Sequence, residues 1–231
     1  MTISQGSTRV PPSTAADEAV KALNLLVHDL RAPLSVAQGY LRLLQQNRLE
    51  SEADRSRALG QAMDALGRIT RLCEEAAAFV AEPVPDGPIT TLSVASLVEQ
   101  VKAACSARCS PLEFIPGPVQ LSGTVRGVHM DQIVQSVAVI LCAARRATRN
   151  DAVRVSVQEE EKEARFLLGC DDDRVALVSR PHEAFDPWRG GHGIALPLAC
   201  RTITGAGGRI WTRADGRGTV GIALPEEASA P

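Results

Sequence analysis

Residues 23–44 read LNLLVHDLRAPLSVAQGYLRLL, and their apolar positions recur at steps of three and four. This spacing places one apolar stripe along a helix, so it predicts a long amphipathic helix that begins near Asp17. Residues 59–80 repeat the spacing as a heptad pattern. The polar residues 47–54 between the two stretches fit a helix–helix turn. The first part of the chain is therefore predicted to be an antiparallel helical hairpin.

A hairpin of this kind cannot bury both of its apolar stripes by itself. Pairing with a second copy buries them in a four-helix bundle, so the sequence predicts a homodimer. Residues 82–89 contain three prolines and one glycine, which is typical of a linker. We therefore expect the hairpin to span 16–81, after a flexible leader over 1–15 that is rich in Ser, Thr and Pro.

The remainder of the chain alternates helix and strand patterns. Helical periodicity predicts helices over 94–107, 128–148 and 194–204, and alternating apolar residues predict strand hairpins over 153–170 and 209–224. Helices with an antiparallel or mixed sheet define an α+β fold, here a layered helix-and-sheet domain over 90–225 followed by a tail over 226–231.

Composition excludes several classes of protein. The chain has 231 residues, 45% hydrophobic and 23% charged, which is ordinary for a globular protein and leaves material for one large or two small domains. The net charge of −2 argues against a protein that binds the phosphate backbone of a nucleic acid. The sequence contains no run of about 18 apolar residues, so it predicts no membrane span. It also shows no secretory signal. We expect a cytoplasmic protein.

The six cysteines form no Cys-x-x-Cys pair, and most lie inside apolar periodic segments. They are interpreted as buried free thiols of a reducing compartment. Cys105 and Cys109 are four residues apart on a predicted helix, but no nearby His or Cys completes a zinc site. No metal site is expected from the cysteines.

The residues that carry chemistry are His28, Asp29 and Arg31, which lie inside the first helix and are followed by Pro33. A neutral imidazole nitrogen on an exposed helix edge is a nucleophile that can carry a phosphoryl group, and the adjacent carboxylate can orient the proton on the other nitrogen. The Arg31 guanidinium is a candidate phosphate contact. A solvated helix face is the alternative interpretation of the pair. Because Val27 is expected to face inward, we predict an exposed histidine.

This stretch resembles the two-component histidine kinases, whose H-box reads His-Glu/Asp-x-x-x-Pro-Leu. His28, Asp29, Pro33 and Leu34 match that pattern. The resemblance covers about residues 17–225. It implies that the hairpin is a dimerisation and histidine-phosphotransfer domain, and that 90–225 resembles the attached ATP-binding domain of the Bergerat type.

The predicted helix over 128–148 resembles the N-box of these kinases, with Asp131 and Gln135 in register. Val139 and Ala143 stand where the family has two asparagines, the second of which holds Mg²⁺. An alanine methyl offers no oxygen to a cation that needs near-octahedral oxygen ligands. The resemblance therefore implies that ATP and Mg²⁺ binding is lost or weakened.

Two further boxes of the ATP-binding domain are matched in part. Asp171 matches the aspartate that binds the adenine amino group, whereas the glycines that follow it in the family are replaced by Asp173 and Val175. Gly191 and Gly193 resemble the last glycine box, whose backbone N–H groups cradle phosphate before a helix. The alternative interpretation is a solvated acidic loop for Asp171 and Asp173, and a tight turn for Gly191 and Gly193. These residues are the cofactor-binding candidates.

Three functional hypotheses follow from the resemblance. The first is a dimeric histidine phosphotransfer protein that carries phosphate on His28 to or from a response-regulator receiver aspartate, with an upstream hybrid kinase as a further partner. The regulator is expected to dock near Leu34, Ala37, Gln38 and Leu41. The second is an active ATP-dependent kinase, and the third a non-catalytic pseudokinase scaffold. Ala32 replaces the residue implicated in partner dephosphorylation, so that activity is not expected.

Overall fold

The computed structural model describes residues 15–81, 89–109, 112–115, 121–148, 153–169, 183–188, 193–212 and 219–227. The chain divides into two compact units, the first ending at Val80 and the second beginning at Ala81. Residues 1–14 of the predicted leader, most of the predicted linker and the last residues of the tail lie outside the described residues, and Ala15, predicted to end the leader, already belongs to the first helix. In the described part of the chain, no helix combines the length and the apolar character needed to cross a membrane.

The first unit is a helical hairpin of α1 (Ala15–Gln45) and α2 (Glu52–Val80), as the periodicity predicts. The connection turns at Asn47, whose φ of 50° is left-handed, a conformation that asparagine tolerates better than most residues. Ser51 then caps α2, because its hydroxyl accepts a hydrogen bond of 3.0 Å from the backbone N–H of Asp54. These two residues set where one helix ends and the next begins.

Small side chains fill the contact between the two helices. The fully buried positions of the hairpin are mostly alanines, which let the two backbones approach closely. Several large apolar side chains nevertheless remain 42–75% exposed along both helices. The buried set comprises Ala22, Pro33, Ala37, Ala58, Ala62, Ala65 and Phe79, and the exposed set includes Leu23, Val27, Leu34, Leu41, Leu59, Met63, Leu66 and Val80. Within the hairpin, therefore, much of the apolar surface has no cover.

The second unit contains three described helices, α3 (Val94–Arg108), α4 (Met130–Ala147) and α5 (Ala195–Gly205). Ser93 caps α3 by accepting a hydrogen bond from the N–H of Ser96 at 3.2 Å. The helix predicted to start at residue 128 starts at Met130. The reason is that His129 adopts a left-handed φ of 56°, which cannot be part of a right-handed helix.

Eight strands accompany these helices in the described residues. They are β1 (Ile89–Ser93), β2 (Glu113–Ile115), β3 (Thr124–Val128), β4 (Arg154–Glu160), β5 (Glu163–Gly169), β6 (Glu183–Ala184), β7 (Arg209–Thr212) and β8 (Val220–Pro225). Six form one sheet in the order β2-β4-β5-β8-β7-β6, in which only the β2–β4 pair is parallel. The expected α+β fold with a mixed sheet is confirmed. The separate antiparallel pair of β1 and β3 was not predicted.

One face of the six-stranded sheet forms the core with the helices. Inward positions alternate along β5, where Ala164, Phe166 and Leu168 are fully buried. The β4–β5 hairpin closes at Glu161 and Lys162, whose φ values of 55° and 65° match the two-residue turn that fits the twist of the strands. The core therefore depends on side chains that strand alternation made predictable.

The opposite face of β5 carries a buried cation. Arg165 is 4% exposed and pairs with Glu160, with Glu161 at 2.7 Å and with Glu163 at 3.0 Å. Burial by itself raises the pKa of Glu163, but hydrogen bonds from Arg209 and Arg165 outweigh it, so the net pKa lies below its usual value. The carboxylate therefore adds stability above its unfolded-state pKa, and that contribution is lost as the pH falls through the folded-state pKa.

Gly221 on β8 is predicted to be irreplaceable for steric reasons. A Cβ atom at this position would lie 2.1 Å from the Trp211 indole, which is itself buried. We expect Gly221→Ala to lower the free energy of unfolding by about 1–3 kcal/mol or more, as overpacking does. Chemical denaturation measures this loss. Gly205→Ala is the control, since its Cβ would enter open space, and an equal loss in both variants would contradict the steric account.

Candidate phosphotransfer site

His28 lies on α1 with its side chain 79% exposed, which agrees with the predicted exposed edge. The reason given for that exposure was wrong in part. Val27, expected to face inward, is 46% exposed, and Leu30 is half-buried. The apolar stripe of α1 is wider than its contact with α2, so an apolar neighbour does not by itself mark the inner face. The histidine is nevertheless open to a reacting partner.

Asp29 orients the imidazole ring. Its Oδ1 lies 3.0 Å from His28 Nδ1, and its side chain is 25% exposed. A carboxylate only accepts hydrogen bonds, so the contact favours the tautomer in which Nδ1 carries the proton. The lone pair is then on Nε2, which makes this nitrogen the nucleophilic atom of the ring.

Pro33 follows one turn later and is buried, while α1 continues through it without interruption. Proline has no amide proton, so it cannot donate to the backbone carbonyl of Asp29 four residues before it. The helix therefore lacks one of its own hydrogen bonds at the residue that orients His28. Ala32, four residues after His28, is exposed and presents only a methyl group.

Arg31 is the third predicted site residue. It lies three residues after His28 on α1, so the two residues share a helix face, and it is exposed. Its guanidinium is a permanent cation with planar donors suited to phosphate oxygens.

Of the expected docking residues, Leu34, Gln38 and Leu41 are exposed, but Ala37 is 3% exposed and is not available to a partner. The correction follows from the close packing of α1 on α2.

The candidate nucleotide site is described only in part. Asp171 and Gly191 lie outside the described residues. Gly193 adopts a left-handed φ of 67° two residues before α5 begins, a conformation that suits glycine and few other residues. A turn that needs glycine at this point agrees equally with a phosphate cradle and with a plain helix entry.

The N-box positions on α4 do not fit a magnesium site. Ala143, which is 5% exposed, and Val139, which is half-buried, have hydrocarbon side chains. Neither side chain therefore offers an oxygen ligand to a metal ion. The amide oxygen of Gln135 accepts hydrogen bonds from Arg108, the shorter of 2.9 Å. No group of three His, Cys, Asp or Glu side chains in the described ranges is arranged to hold a metal ion.

Sequence reasoning did not predict one group of neighbouring thiols. The Cys105 thiol of α3 and burial raise the pKa of the Cys142 thiol on α4, and Cys109, the C-cap of α3, is a further neighbour. The spacing of the two α3 cysteines was visible in the sequence, but the third partner comes from another helix. Only the packing of α3 on α4 brings it there.

The comparisons with known proteins bear on the fold. No protein-family model matches the sequence, and no curated protein matches it either. Among solved structures, the chain is similar to the Acinetobacter baumannii histidine kinase AdeS, with a TM-score of 0.61 and 15% identity, covering 87% of this chain and 98% of that one.

Two further solved structures are similar. The histidine kinase ThkA, in complex with the response regulator protein TrrA, has a TM-score of 0.57 and 16% identity, and 91% of this chain covers 64% of that one. Full-length ShkA in complex with AMPPNP has a TM-score of 0.53 and 17% identity, and 91% of this chain covers 47% of it. This chain thus spans about half of ShkA and just under two thirds of ThkA. The fold is of the histidine-kinase type, as the sequence resemblance implies.

The exposure of His28 leads to a stability prediction. We expect His28→Ala to change the free energy of unfolding of the hairpin by less than about 0.5 kcal/mol, because the side chain supports no packing. Helical circular dichroism during denaturation measures the change. Ala62→Asp, at a position only 1% exposed, provides the contrast, with a loss of about 2 kcal/mol or more. A strongly destabilised His28→Ala variant would mean that the ring has a structural role.

Proposed function

We propose that this protein is a histidine phosphotransfer protein of a two-component phosphorelay. His28 would carry the phosphoryl group to or from the aspartate of a response-regulator receiver domain. The observation that carries the proposal is the 3.0 Å contact between Asp29 Oδ1 and Nδ1 of an imidazole that is itself 79% exposed. An oriented and accessible nucleophile is what transfer between two proteins requires.

The proposed step begins with the lone pair on Nε2 of His28. This nitrogen attacks the phosphorus of the receiver's aspartyl phosphate, the N–P bond forms, and the P–O bond to the receiver carboxylate breaks. The ring becomes a cation that keeps its proton on Nδ1, and the Asp29 carboxylate stabilises it through the existing contact. The reverse step returns the phosphoryl group to a receiver. Arg31 would bind the phosphate oxygens in either direction.

The second unit would not supply the phosphoryl group. Phosphoryl transfer from ATP needs a metal ion to neutralise the developing charge, and the buried methyl of Ala143 provides no ligand for one. We propose that residues 90–225 retain the fold of the ATP-binding domain as a scaffold. The division into a hairpin over 16–81, a linker over 82–89 and this domain is part of the same proposal.

The proposed partner is a receiver domain, on two grounds. The similar kinase ThkA is in complex with a response regulator. On this chain, Leu34 and Leu41 are 43% and 46% exposed on the same helix as His28, one to four turns beyond it. Apolar side chains at the centre of a surface with polar residues around them are typical of protein interfaces.

Free thiols, as at Cys200, agree with the cytoplasm as the proposed location.

The transfer reaction is tested by incubating the full chain with receiver domains that a radiolabelled small-molecule phosphodonor has phosphorylated. We expect acid-labile label on the wild-type chain, none on His28→Ala and normal label on His129→Asn, which alters another exposed histidine. Asp29→Ala is expected to slow transfer about 100-fold, because it removes the carboxylate that orients the ring and stabilises its cationic form.

Two controls separate the alternatives. Labelled ATP with Mg²⁺ should leave the chain unlabelled, whereas His28-dependent labelling would favour an active kinase. If label decays from every receiver without reaching His28, the transfer proposal fails and a scaffold is favoured. Circular dichroism of each variant distinguishes a lost reaction from a lost fold.

We further propose that two copies of the hairpin form a four-helix bundle. The support is the row of apolar side chains left 42–75% exposed on α1 and α2, which a monomer leaves in water. The seam predicted from the heptads includes Leu59 and Leu66, exposed by 52% and 42%. Burial of these side chains between two copies would supply the energy of association.

Light scattering across a range of concentrations tests the dimer. We expect a dimeric wild-type protein and a monomeric Leu66→Asp variant, since a carboxylate in the seam would be buried without a partner. Gln61→Asp, at an exposed position of α2, serves as the control and should remain dimeric. A wild-type protein that is monomeric at every concentration would contradict the proposal.

A further inference from the structure

Charged side chains are distributed unevenly along the hairpin. Over residues 30–49 and 55–73 together, the sequence contains seven arginines and a single acid, Asp64. Apart from Asp29, the other acids of the hairpin lie at its open end or around the turn. We name the seven arginines, all of which are exposed, the cationic surface; they are Arg31, Arg42, Arg48, Arg55, Arg57, Arg68 and Arg71.

The cationic surface covers the part of the hairpin between His28 and the turn. His28 lies 17 residues before the end of α1 at Gln45, which is about 26 Å along the helix. Arg68 and Arg71 lie 16 and 19 residues after the start of α2 at Glu52, which is about 24 and 29 Å. Because the two helices run in opposite directions, these two arginines are level with the imidazole, and the other members of the surface lie nearer the turn.

Most of these cations have no partner among the described residues. Arg55 pairs with Glu52 at 3.8 Å, and Arg57 pairs with Asp54 at 3.1 Å. The guanidinium groups of the other five form neither an ion pair nor a hydrogen bond with any residue that the structure describes. Their donors therefore remain available to a ligand, and their charges add up to a positive potential over one part of the hairpin.

We propose that the cationic surface steers and orients the receiver domain, which docks through a face that carries an excess of carboxylates. The proposal rests on the proposed function, because it takes the receiver as the partner. An aspartyl phosphate is itself an anion, so the same arginines attract it toward His28. Glu18 and Glu74, which are exposed at the open end of the hairpin, disfavour the reverse orientation. The acidic face of the partner is therefore placed on the turn side of His28.

A nucleic acid fits this surface less well than an acidic protein does. Over residues 15–81 the hairpin has eight basic and nine acidic residues, so its net charge is −1, and a long polyanion would meet repulsion beyond the cationic surface. Leu34 and Leu41, which are 43% and 46% exposed, lie between the arginines of α1. Apolar side chains with charged residues around them are typical of a protein interface.

The salt dependence of transfer tests the steering. Transfer from phosphorylated receiver domains to the full chain is measured as kcat/KM. We expect the wild-type value to fall about tenfold or more between about 0.02 and 0.2 M salt, because ions screen the attraction. The triple variant Arg42→Gln, Arg68→Gln, Arg71→Gln should lower kcat/KM at low salt about tenfold and lose most of the salt dependence. Its rate at saturating receiver should change less than about threefold, because the reacting groups are intact.

A matched control removes three exposed cations of the second unit, Arg126→Gln, Arg146→Gln and Lys162→Gln, and therefore has the same net charge as the hairpin variant. We expect its kcat/KM and its salt dependence to match those of the wild type. Equal losses in the two triple variants, or a wild-type rate that does not respond to salt, would overturn the proposal while leaving His28 as the phosphate carrier. Circular dichroism checks that both variants keep the native fold.

A binding measurement tests the surface even if no receiver transfers phosphate, the result that would refute the proposed function. The probes are a fluorescent peptide rich in Glu and Leu and a fluorescent single-stranded DNA of equal charge, each followed by anisotropy with the full chain at low salt. We expect the peptide to bind the wild type and the control variant, and to bind the hairpin variant about tenfold more weakly or less. Tighter binding of the DNA than of the peptide, or equal peptide binding by all three proteins, would contradict an acidic protein partner.

Discussion

The close packing of α1 on α2 through alanines is the constraint on which the rest of the first unit depends. Ala58, Ala62 and Ala65 are at most 4% exposed, so the two backbones approach with little between them. This contact buries mostly small side chains and leaves several large ones, such as Met63, exposed. A rigid hairpin then holds His28 on its surface, with the ring turned by Asp29. The same packing leaves the apolar surface through which we propose that a second copy binds.

In the second unit, the side chains that form the core are not those that would bind a nucleotide. Its core is built from α4 and the inward faces of β4, β5 and β8, where Val137, Ile140 and Phe166 are fully buried. None of these side chains would touch a nucleotide through a polar group. The core therefore does not depend on oxygen-bearing side chains at Val139 and Ala143 of α4, where the side chains are hydrocarbon. A histidine-kinase-type fold is not by itself an argument for kinase activity.

The parts that sequence could predict are those governed by local periodicity. The apolar periodicity of α1 and α2 and the alternation of β4 and β5 are local, and the predicted helices and strand hairpin are confirmed. The pair of β1 and β3 was missed because its partners are separated by more than thirty residues. The inward orientation of Val27 was wrong because periodicity locates an apolar stripe without saying which part of it the neighbour covers.

The candidate site likewise combines features that local sequence predicts with features that only tertiary packing produces. The exposure of His28 could be predicted from one helix, and its contact with Asp29 joins sequence neighbours. The burial of Ala37, and the position of Cys142 near enough to Cys105 to raise its pKa, depend on tertiary packing, which no spacing in the sequence records. Sequence therefore predicts chemistry where the reacting groups share an element, and much less where they do not.

The tautomer of His28 shows whether Asp29 leaves Nε2 of the ring free to react. Nitrogen NMR of the ring in the uniformly ¹⁵N-labelled full chain, above the pH at which the ring is protonated, distinguishes Nδ1–H from Nε2–H. We expect a dominant Nδ1–H form in the wild type that shifts toward Nε2–H, the usual preference of a free imidazole, in Asp29→Ala. A wild-type ring protonated mainly on Nε2, or a spectrum unchanged by Asp29→Ala, would contradict it, because the nitrogen assigned to carry phosphate would not be free.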